Sequence, residues 1–223
     1  MELITVARLR SKYTTKFGTP RQSGLIDAPQ EVVFEPNFKD ENILRGITEY
    51  SHLWLIWGFD KVCGWTPTVR PPRLGGNTRV GVFATRSPFR PNPIGLTLVE
   101  LVGVRKTKDG LLVLDVKGAD MVDDTPIYDV KPYLPYVEAK GSATGGFSDD
   151  VKDYRLTVNI DENASCEIDK DTLNIIIEII SSDPRPSYHE DKDRTYAFEY
   201  GGYKIKFSVC DGVAYVKEIK VDG

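Results

Sequence analysis

Residues that bind metals or form disulfides are scarce in this sequence. Its 223 residues include three cysteines (Cys63, Cys166 and Cys210) and two histidines (His52 and His189). The cysteines are scattered, odd in number and never in a CxxC pair, so no disulfide framework is expected. Two histidines argue against a histidine-rich metal site, and we expect no bound metal.

Long apolar runs are also missing. No stretch approaches the roughly 20 apolar residues that a membrane-spanning helix needs. The first residues, "MELITVARLRS", have the pattern of a strand and not of a secretion signal. We therefore expect a cytoplasmic protein without a membrane partner. The motifs GxGxxG after a strand, GxxxxGKS/T and HExxH, which mark common nucleotide-binding and metalloprotease sites, are absent as well.

Acidic residues and lysine are missing from one long stretch. Between Val62 and Val99 there is no Asp, Glu or Lys, while five arginines occur: Arg70, Arg73, Arg79, Arg86 and Arg90. The whole chain has a formal net charge of −4, which argues against a generally basic nucleic-acid binder. An arginine surface paired with acidic residues elsewhere is the ordinary explanation. Arginine without lysine favours bidentate recognition of phosphate or carboxylate, so an anionic ligand is also plausible.

Segments of strand length, rich in Val, Ile, Leu and aromatics, are abundant. Seven of them precede residue 137, separated by Gly, Pro, Asn and Asp clusters. This spacing predicts a mainly β fold in which a single sheet closes into a barrel. We assign residues 1–137 to the barrel, the glycine-rich polar residues 138–150 to a linker, and residues 151–223 to a small α+β domain.

Several local predictions follow from finer patterns. The run "HLWLIWGF" does not alternate and predicts a strand buried on both faces. "RVGVFATRS" is predicted as a strand, and "KDENILRGITEY" as a helix capped by Asp40 and interrupted at Gly46. "DKDTLNIIIEIISSDPRPSY" fits a strand or a helix; a cap at Asp169 or Asp171 and a stop at Pro184 favour the helix. Gly-Gly and Asp-Gly predict the turns of a final three-stranded meander.

Two arrangements resemble catalytic or metal sites. Ser51 and His52 are adjacent, and neighbours on a strand point to opposite faces, so no nucleophile–base pair is expected. Asp120, Asp123 and Asp124 could bind a hard cation, although a solvated acidic turn explains them better. This turn and the loop "RSPFRPNP" both follow strands, so a barrel could bring their carboxylates and arginines to the same rim.

Long motifs give the sequence a resemblance to a known family. "FGTPRQSGL", "VRPPRLGGNTRVGVFATRSPFRPNPIGLTLVEL" and "ADMVDDTPIYDVKPYLPY" closely resemble the TsaA-like family, and "SDPRPSYHEDKDRTYAFEYGGYKIKF" resembles the small C-terminal unit of its bacterial members. Characterised bacterial members are S-adenosylmethionine-dependent tRNA methyltransferases that act on N6 of N6-threonylcarbamoyladenosine beside the anticodon. The resemblance implies a homodimeric barrel enzyme with S-adenosylmethionine near the subunit interface. Its implied substrate is tRNA, which we expect to be threonine tRNA.

The same motifs imply site residues. Cofactor contacts are implied for Pro20, Arg21, Gln22, Asp60, Lys61, Arg86, Leu96, Met121, Val122 and Asp123. We assign Asp123 as the catalytic group that accepts the N6 proton, and expect tRNA contacts from Arg70, Arg73, Arg90, Arg185 and Arg194. Asp60-Lys61 departs from a histidine–glutamine pair frequent in the family. "VDDTP" departs from "VDGTP", and the lost glycine bears on the backbone conformation of that loop.

Other functions fit the same residues. The chain could be a non-catalytic RNA-binding barrel module that keeps the arginine face without the chemistry, or a barrel enzyme that acts on a small molecule. The small domain, with Arg185, Lys192 and Arg194 in one loop, could supply phosphate contacts. On that basis the isolated barrel should still bind S-adenosylmethionine and lose most of its affinity for tRNA.

Overall fold

The computed structural model describes residues 2–74, 78–161, 164, 168–186, 191 and 194–221, and for Arg73 and Val151 only the backbone. The expectations placed on Lys192 and on the side chain of Arg73 lie outside the described residues. Cys166 and His189 also lie outside them.

The strands and helices are distributed much as the sequence predicts. In chain order the strands are β1 (Ala7–Arg10), β2 (Pro29–Phe34), β3 (His52–Gly58), β4 (Thr68–Val69), β5 (Val80–Gly81), β6 (Ile94–Lys106), β7 (Leu112–Lys117), β8 (Pro126–Pro132), β9 (Thr157–Ile160), β10 (Thr195–Tyr200), β11 (Tyr203–Cys210) and β12 (Val213–Val221). The α-helices are α1 (Pro135–Glu138) and α2 (Lys170–Ser181).

A closed barrel forms the first part of the molecule, which confirms the predicted fold class. Its strand order is β1-β2-β7-β6-β3-β8, each neighbouring pair is antiparallel, and β8 pairs back with β1. Leu9, Val32, Leu53, Leu114 and Ile127, from five different strands, are fully buried inside it. Burying a side chain of this size contributes about 1.5–3 kcal/mol, so the barrel has a substantial core of its own.

Strand β3 alternates in burial, and the prediction that both of its faces are buried is wrong. Leu53, Leu55 and Trp57 point into the core, whereas Trp54 on the outer face is half-buried. The Trp54 indole nitrogen donates a hydrogen bond of 2.8 Å to Glu138 at the end of α1. The apolar run therefore continues through a strand that buries one face and leaves the other half-buried.

The predicted strand "RVGVFATRS" forms only in its first residues. Strand β5 pairs with β4, and a 3-10 helix (Val82–Ala84) follows immediately. The Thr85 backbone N–H and hydroxyl both donate to the Val82 carbonyl, at 3.2 and 2.8 Å, and so close the turn. Because these bonds satisfy the carbonyl locally, the strand does not continue into the arginine–proline loop.

The predicted helix in residues 39–50 forms as two short 3-10 helices, Glu41–Leu44 and Ile47–Glu49. Asp40 caps the first, as predicted, because its side chain accepts a hydrogen bond from the Asn42 N–H. Gly46 separates them at a φ of +84°, a conformation that glycine adopts without steric cost.

The small domain is a four-stranded sheet with α2 against it. The sheet order is β10-β11-β12-β9, with β9 parallel to β12. The helical prediction for α2 is confirmed: Asp169 caps it through the Thr172 N–H at 2.9 Å, and Ile176, Ile179 and Ile180 are buried. Gly-Gly and Asp-Gly form the two hairpin turns, as predicted.

The two parts do not divide the chain cleanly. Tyr13, Ile26 and Ala28 come from the connection between β1 and β2, yet they are buried in the core of the small domain. Tyr13 also forms an isolated antiparallel bridge with Tyr200. The linker assigned to residues 138–150 is almost wholly exposed and passes into a 3-10 helix (Gly146–Val151). Within the described part of the chain, no helix has the length and apolar composition to cross a membrane.

Candidate active site

The arginine–proline loop between the 82–84 helix and β6 is held by its own turn chemistry. The Ser87 N–H donates to the Thr85 hydroxyl at 3.2 Å, and the Arg90 N–H donates to the Pro88 carbonyl at 2.8 Å. Proline fixes φ along the same stretch. The loop can therefore present an exposed arginine without support from a helix.

Arg86 joins this loop to the predicted cofactor segment. Its Nη1 donates a hydrogen bond of 2.7 Å to Oε1 of Gln22, which lies 64 residues away in sequence. Both side chains are exposed. Two motifs that are distant in sequence therefore meet at one rim of the barrel.

Asp120 adds a carboxylate near this pair, although the sequence motifs assigned it neither to the cofactor nor to catalysis. Its Oδ1 accepts a hydrogen bond of 2.6 Å from the Thr97 hydroxyl, which itself accepts one of 2.9 Å from Trp57 Nε1. Burial raises the pKa of the Asp120 carboxyl, while the Thr97 hydrogen bond and the nearby charge of Arg86 act to lower it. The charge of Arg86 thus acts on the Asp120 carboxyl, which is the arrangement that a common rim for carboxylates and arginines would give.

Asp123, the predicted proton acceptor, has different neighbours. Its Oδ1 accepts from the Ser11 N–H at 2.9 Å, and its Oδ2 lies 3.9 Å from Arg10 Nη1. Its own N–H donates to the Tyr13 carbonyl at 2.8 Å. These contacts fix the acidic loop to the chain after β1.

An open groove of about 490 Å³ lies on that side of the barrel, and Arg10, Lys12, Lys117 and Asp123 are among its lining residues. Gln22, Arg86 and Asp120 do not line it. The structure therefore places Asp123 beside this groove, and Asp120 at the rim with Gln22 and Arg86.

The structure shows how aspartate replaces glycine in the "VDDTP" loop. Asp124 occupies the glycine position with a φ of +66°, in the left-handed region. Its carboxylate accepts hydrogen bonds from Arg8 and Arg10, at 3.4 and 3.0 Å. Aspartate tolerates this conformation better than most residues, and the two arginines favour it further.

The other predicted cofactor residues differ in their exposure. Asp60 and Lys61 are exposed in the turn after β3, where the Phe59 N–H bonds to the Pro93 carbonyl of the arginine–proline loop at 2.9 Å. Leu96 is 54% exposed on β6, and Pro20 is buried.

Two predicted residues of the acidic turn offer mainly backbone groups. The Met121 side chain is 2% exposed and belongs to the barrel core, so only its backbone could meet a ligand. The Val122 carbonyl accepts from the Thr125 hydroxyl at 2.8 Å.

The arginines expected to bind tRNA differ in their exposure and in the contacts they make within the protein. Arg70 is exposed, and the Arg90 guanidinium lies 6.0 Å from the centre of the Phe83 ring. Arg185 is used inside the protein: its guanidinium makes bonds of 2.8 and 3.0 Å to both Asp183 oxygens, and its side chain is 11% exposed. Arg194 lies 5.3 Å from the Tyr196 ring centre. Burial makes Arg185 poorly suited to meet phosphate.

One exclusion made from the sequence is corrected. Ser51 Oγ and His52 Nδ1 lie 2.9 Å apart, because Ser51 is in a bend before β3 and does not follow strand alternation. The pair is at the surface, away from the Gln22–Arg86–Asp120 rim. Among the residues that the structure describes, no cluster of three or more His, Cys, Asp or Glu side chains could hold a metal ion.

Comparison with known proteins identifies close relatives of the whole chain. Residues 8–139 match the family model of the tRNA-methyltransferase O N-terminal domain, and residues 153–222 match that of the TrmO C-terminal domain. The tRNA (adenine(37)-N6)-methyltransferase of Escherichia coli is 39% identical over 218 residues, which is 91% of each chain.

Two further matches come from Pseudomonas aeruginosa. A protein provisionally named as the S-adenosylmethionine-dependent methyltransferase RcsF is 34% identical over 195 residues, covering 83% of this chain and 82% of its own. A crystal structure of TrmO superposes with a TM-score of 0.80 at 26% identity, covering 99% of this chain and 97% of that one.

Proposed function

The chain belongs to the TrmO family of tRNA methyltransferases, and we propose that it methylates N6 of N6-threonylcarbamoyladenosine beside the anticodon of threonine tRNA. At the level of its relatives it is a tRNA (adenine(37)-N6)-methyltransferase that depends on S-adenosylmethionine. The threonylcarbamoyl group, the tRNA species and the cytoplasmic location are the parts that we propose. The observation that carries the assignment of the site is the Arg86–Gln22 hydrogen bond, which joins the two motifs at one rim.

The residues at this rim suit the methyl donor. S-adenosylmethionine supplies a methyl group on a sulfonium, and its amino-acid tail carries an ammonium and a carboxylate. Arg86 can pair with the carboxylate and Asp120 with a positive charge, and both contacts are charge-assisted. Gln22 orients Arg86. We propose further contacts from Pro20, Arg21, Asp60, Lys61, Leu96 and Val122, and from the backbone of Met121.

The acceptor nitrogen must lose a proton when it gains the methyl group. Its lone pair is delocalised into the ring and the urea, so a carboxylate that accepts or orients the proton would assist transfer. Asp123 remains our proposal from the sequence. Asp120 competes with it, because burial already raises its pKa towards the range useful for proton transfer. Orientation of donor and acceptor by the rim would supply a further part of the acceleration.

The tRNA would be held by arginine and aromatic groups near the rim. Arg70 is exposed and Arg90 is half-buried, and the arginine-rich stretch between Val62 and Val99 also exposes Trp65 by 59% and Phe83 by 77%. Guanidinium groups suit phosphate and the threonyl carboxylate, and exposed rings can stack on unpaired bases of an anticodon loop. Arg73 and Arg194 remain proposed contacts.

We also propose a homodimer in which a second copy covers the apolar part of this surface. Ile94 and Leu96, two residues apart on β6, are 39 and 54% exposed, and Phe89 in the preceding arginine–proline loop is 43% exposed. Large apolar residues grouped at one surface typically mark an interface. Light scattering of the purified protein should give twice the mass of one chain, and a single-chain mass would contradict the dimer.

Mass spectrometry of tRNA nucleosides tests the function. With S-adenosylmethionine, the protein should add one methyl to N6-threonylcarbamoyladenosine in threonine tRNA and leave unmodified adenosine-37 unchanged. Equal methylation of tRNA without the threonylcarbamoyl group would contradict the proposed substrate. A protein that binds tRNA but gives no calorimetric signal with S-adenosylmethionine would instead be a non-catalytic RNA-binding module.

A further inference from the structure

The connection between β1 and β2 is built into the small domain. Ile26 and Ala28 are buried in the core of that domain, and Phe17 packs against it. Gly18 has a φ of +97°, and a Cβ at this position would lie 2.8 Å from the Phe198 ring. Only glycine fits this approach of the backbone to β10. The chain on both sides of the predicted cofactor segment Pro20-Arg21-Gln22 therefore rests on the small domain.

Arg21 extends this contact to a buried ion pair. Its guanidinium donates a hydrogen bond to the backbone carbonyl of Arg185. The Arg185 side chain is held in place by the two bonds to Asp183, whose own side chain is only 8% exposed. The Arg185 guanidinium also lies 5.6 Å from the centre of the Tyr196 ring. The carbonyl that receives Arg21 is thus fixed by a charged pair in the interior of the small domain.

The next residues of the segment are tied to the barrel. Gln22 accepts the hydrogen bond from Arg86, and the Gly24 N–H donates to the Gly118 carbonyl at 3.0 Å. Arg21 and Gln22 are adjacent, yet one bonds to the small domain and the other to the barrel rim. A shift in the position of Arg21 would therefore displace Gln22 and with it the orientation of Arg86.

We propose that Asp183 and Arg185 are positioning residues for the cofactor site, and that the small domain supports S-adenosylmethionine binding by fixing Arg21. The identity of the ligand in this inference rests on the proposed function. The claim that Asp183 and Arg185 fix the Pro20-Arg21-Gln22 segment is independent of that function. It gives Arg185 a role other than the tRNA contact expected from the sequence. It also reverses the expectation that the isolated barrel would keep its affinity for S-adenosylmethionine.

The substitution Asp183→Asn in the full-length protein tests this. Asparagine tolerates the left-handed conformation of Asp183, whose φ is +50°, but lacks the charge that holds Arg185. We expect the Gly24 amide of the ligand-free protein to exchange its hydrogen faster, while amides of the barrel core such as Leu114 are unchanged. Calorimetry should show S-adenosylmethionine binding weakened on the order of tenfold, as is typical of coupling between sites.

The matched control is Glu218→Gln, which removes a carboxylate that pairs with Lys206 and Lys220 in the same domain. It should leave both the Gly24 exchange rate and the S-adenosylmethionine affinity as in the wild type. Arg185→Lys keeps the charge with fewer hydrogen bonds, so it should give a smaller effect than Asp183→Asn. It also provides the same comparison if Asp183→Asn does not fold.

Three outcomes would overturn the proposal: unchanged Gly24 exchange in Asp183→Asn, unchanged S-adenosylmethionine affinity in that variant, or an equal effect of Glu218→Gln. A wild-type protein that does not bind S-adenosylmethionine at all would refute the proposed function instead. In that case the exchange of Gly24, measured without ligand, still decides whether Asp183 and Arg185 fix the segment.

Discussion

The barrel and the small domain obtain their cores in different ways. The barrel closes on itself, so each of its strands has two neighbours and its interior is filled by its own residues. The small domain has an open sheet, and Tyr13, Ile26 and Ala28 from the connection between β1 and β2 complete its core. The core of the small domain therefore includes residues from the barrel part of the sequence, because the connection between β1 and β2 packs against the small domain.

Removal of the small domain should have the largest effect on this arrangement. A protein ending at residue 150 would expose Tyr13 and Ile26, which are now 1 and 2% exposed. Loss of their burial would cost about 3–6 kcal/mol, a large share of the about 5–15 kcal/mol that stabilises a typical protein. Urea denaturation should therefore show a much lower midpoint than for the full-length protein.

A full-length protein cut by a protease in the exposed linker is the control. Its halves should remain associated and should unfold near the wild-type midpoint, because the buried contacts persist. A truncated barrel as stable as the intact protein would mean that the small domain does not support the connection.

A smaller effect should follow from Gly18→Ala compared with Gly46→Ala. Both glycines have positive φ, so alanine costs about 1–2 kcal/mol at either position. Only Gly18 faces the Phe198 ring, whereas a Cβ at Gly46 meets no atom within 4 Å. Overpacking should add about 1–3 kcal/mol at Gly18. Equal losses of unfolding free energy in the two variants would show that the contact between the connection and β10 contributes nothing.

The elements with a strong local pattern could be predicted from the sequence. Short runs of Val, Ile, Leu and aromatic residues between turn residues predicted the barrel strands, and the cap at Asp169 together with the stop at Pro184 predicted α2. Asp40 was predicted as a cap for the same reason. The strand expected at residues 79–87 failed because the side chain of Thr85 closes a turn, which is a local hydrogen bond that strand propensity does not include.

Contacts between distant residues were harder to predict. The family motifs placed Gln22 and Arg86 in one site; a hydrogen bond joins the two side chains, and their contact with a cofactor stays a prediction. Asp120 was grouped with an acidic turn, because its partners Thr97 and Trp57 belong to other strands and only the barrel brings them together. Arg185 was expected at a phosphate-binding surface because its loop is rich in charge. Its partner Asp183 is two residues away, but the sequence does not indicate that the pair is buried.

We expect the smallest effects on stability when the pH is changed. The barrel and the small domain each contain a carboxyl with a shifted pKa, and the two shifts have opposite signs. Burial raises the pKa of Asp120 at the barrel rim, whereas hydrogen bonds from Lys206 and Lys220 lower the pKa of Glu218 in the small domain to about 2. A raised carboxyl pKa means that stability is present at low pH and is lost as the pH rises through the pKa in the folded protein. A lowered one means that stability is present above the ordinary value and is lost as the pH falls.

Thermal melts of two variants across pH test these signs. Asp120→Asn keeps an acceptor for the Thr97 hydroxyl. The substitution should raise the melting temperature of the ligand-free protein at pH 7, where wild-type Asp120 is under pressure to ionise. The increase should be smaller at a pH below the ordinary carboxyl pKa. Glu218→Gln should lower the melting temperature at pH 7 and have little effect near pH 2, where Glu218 itself becomes protonated. The opposite pH trend for Asp120→Asn would mean that the charge of Arg86 dominates over burial at the rim.

The hydrogen-bonded chain from Trp57 through Thr97 to Asp120 couples tryptophan fluorescence to the charge of a carboxyl group. The Trp57 ring lies against Gly95, where an added Cβ would be 2.1 Å from it, and the residue is 7% exposed. Its Nε1–H is committed to the Thr97 hydroxyl, which in turn donates to the Asp120 carboxylate. A change in charge at Asp120 would alter the field along the indole ring, so Trp57 can act as an internal fluorophore that reports on the rim, in contrast to the solvent-exposed Trp65.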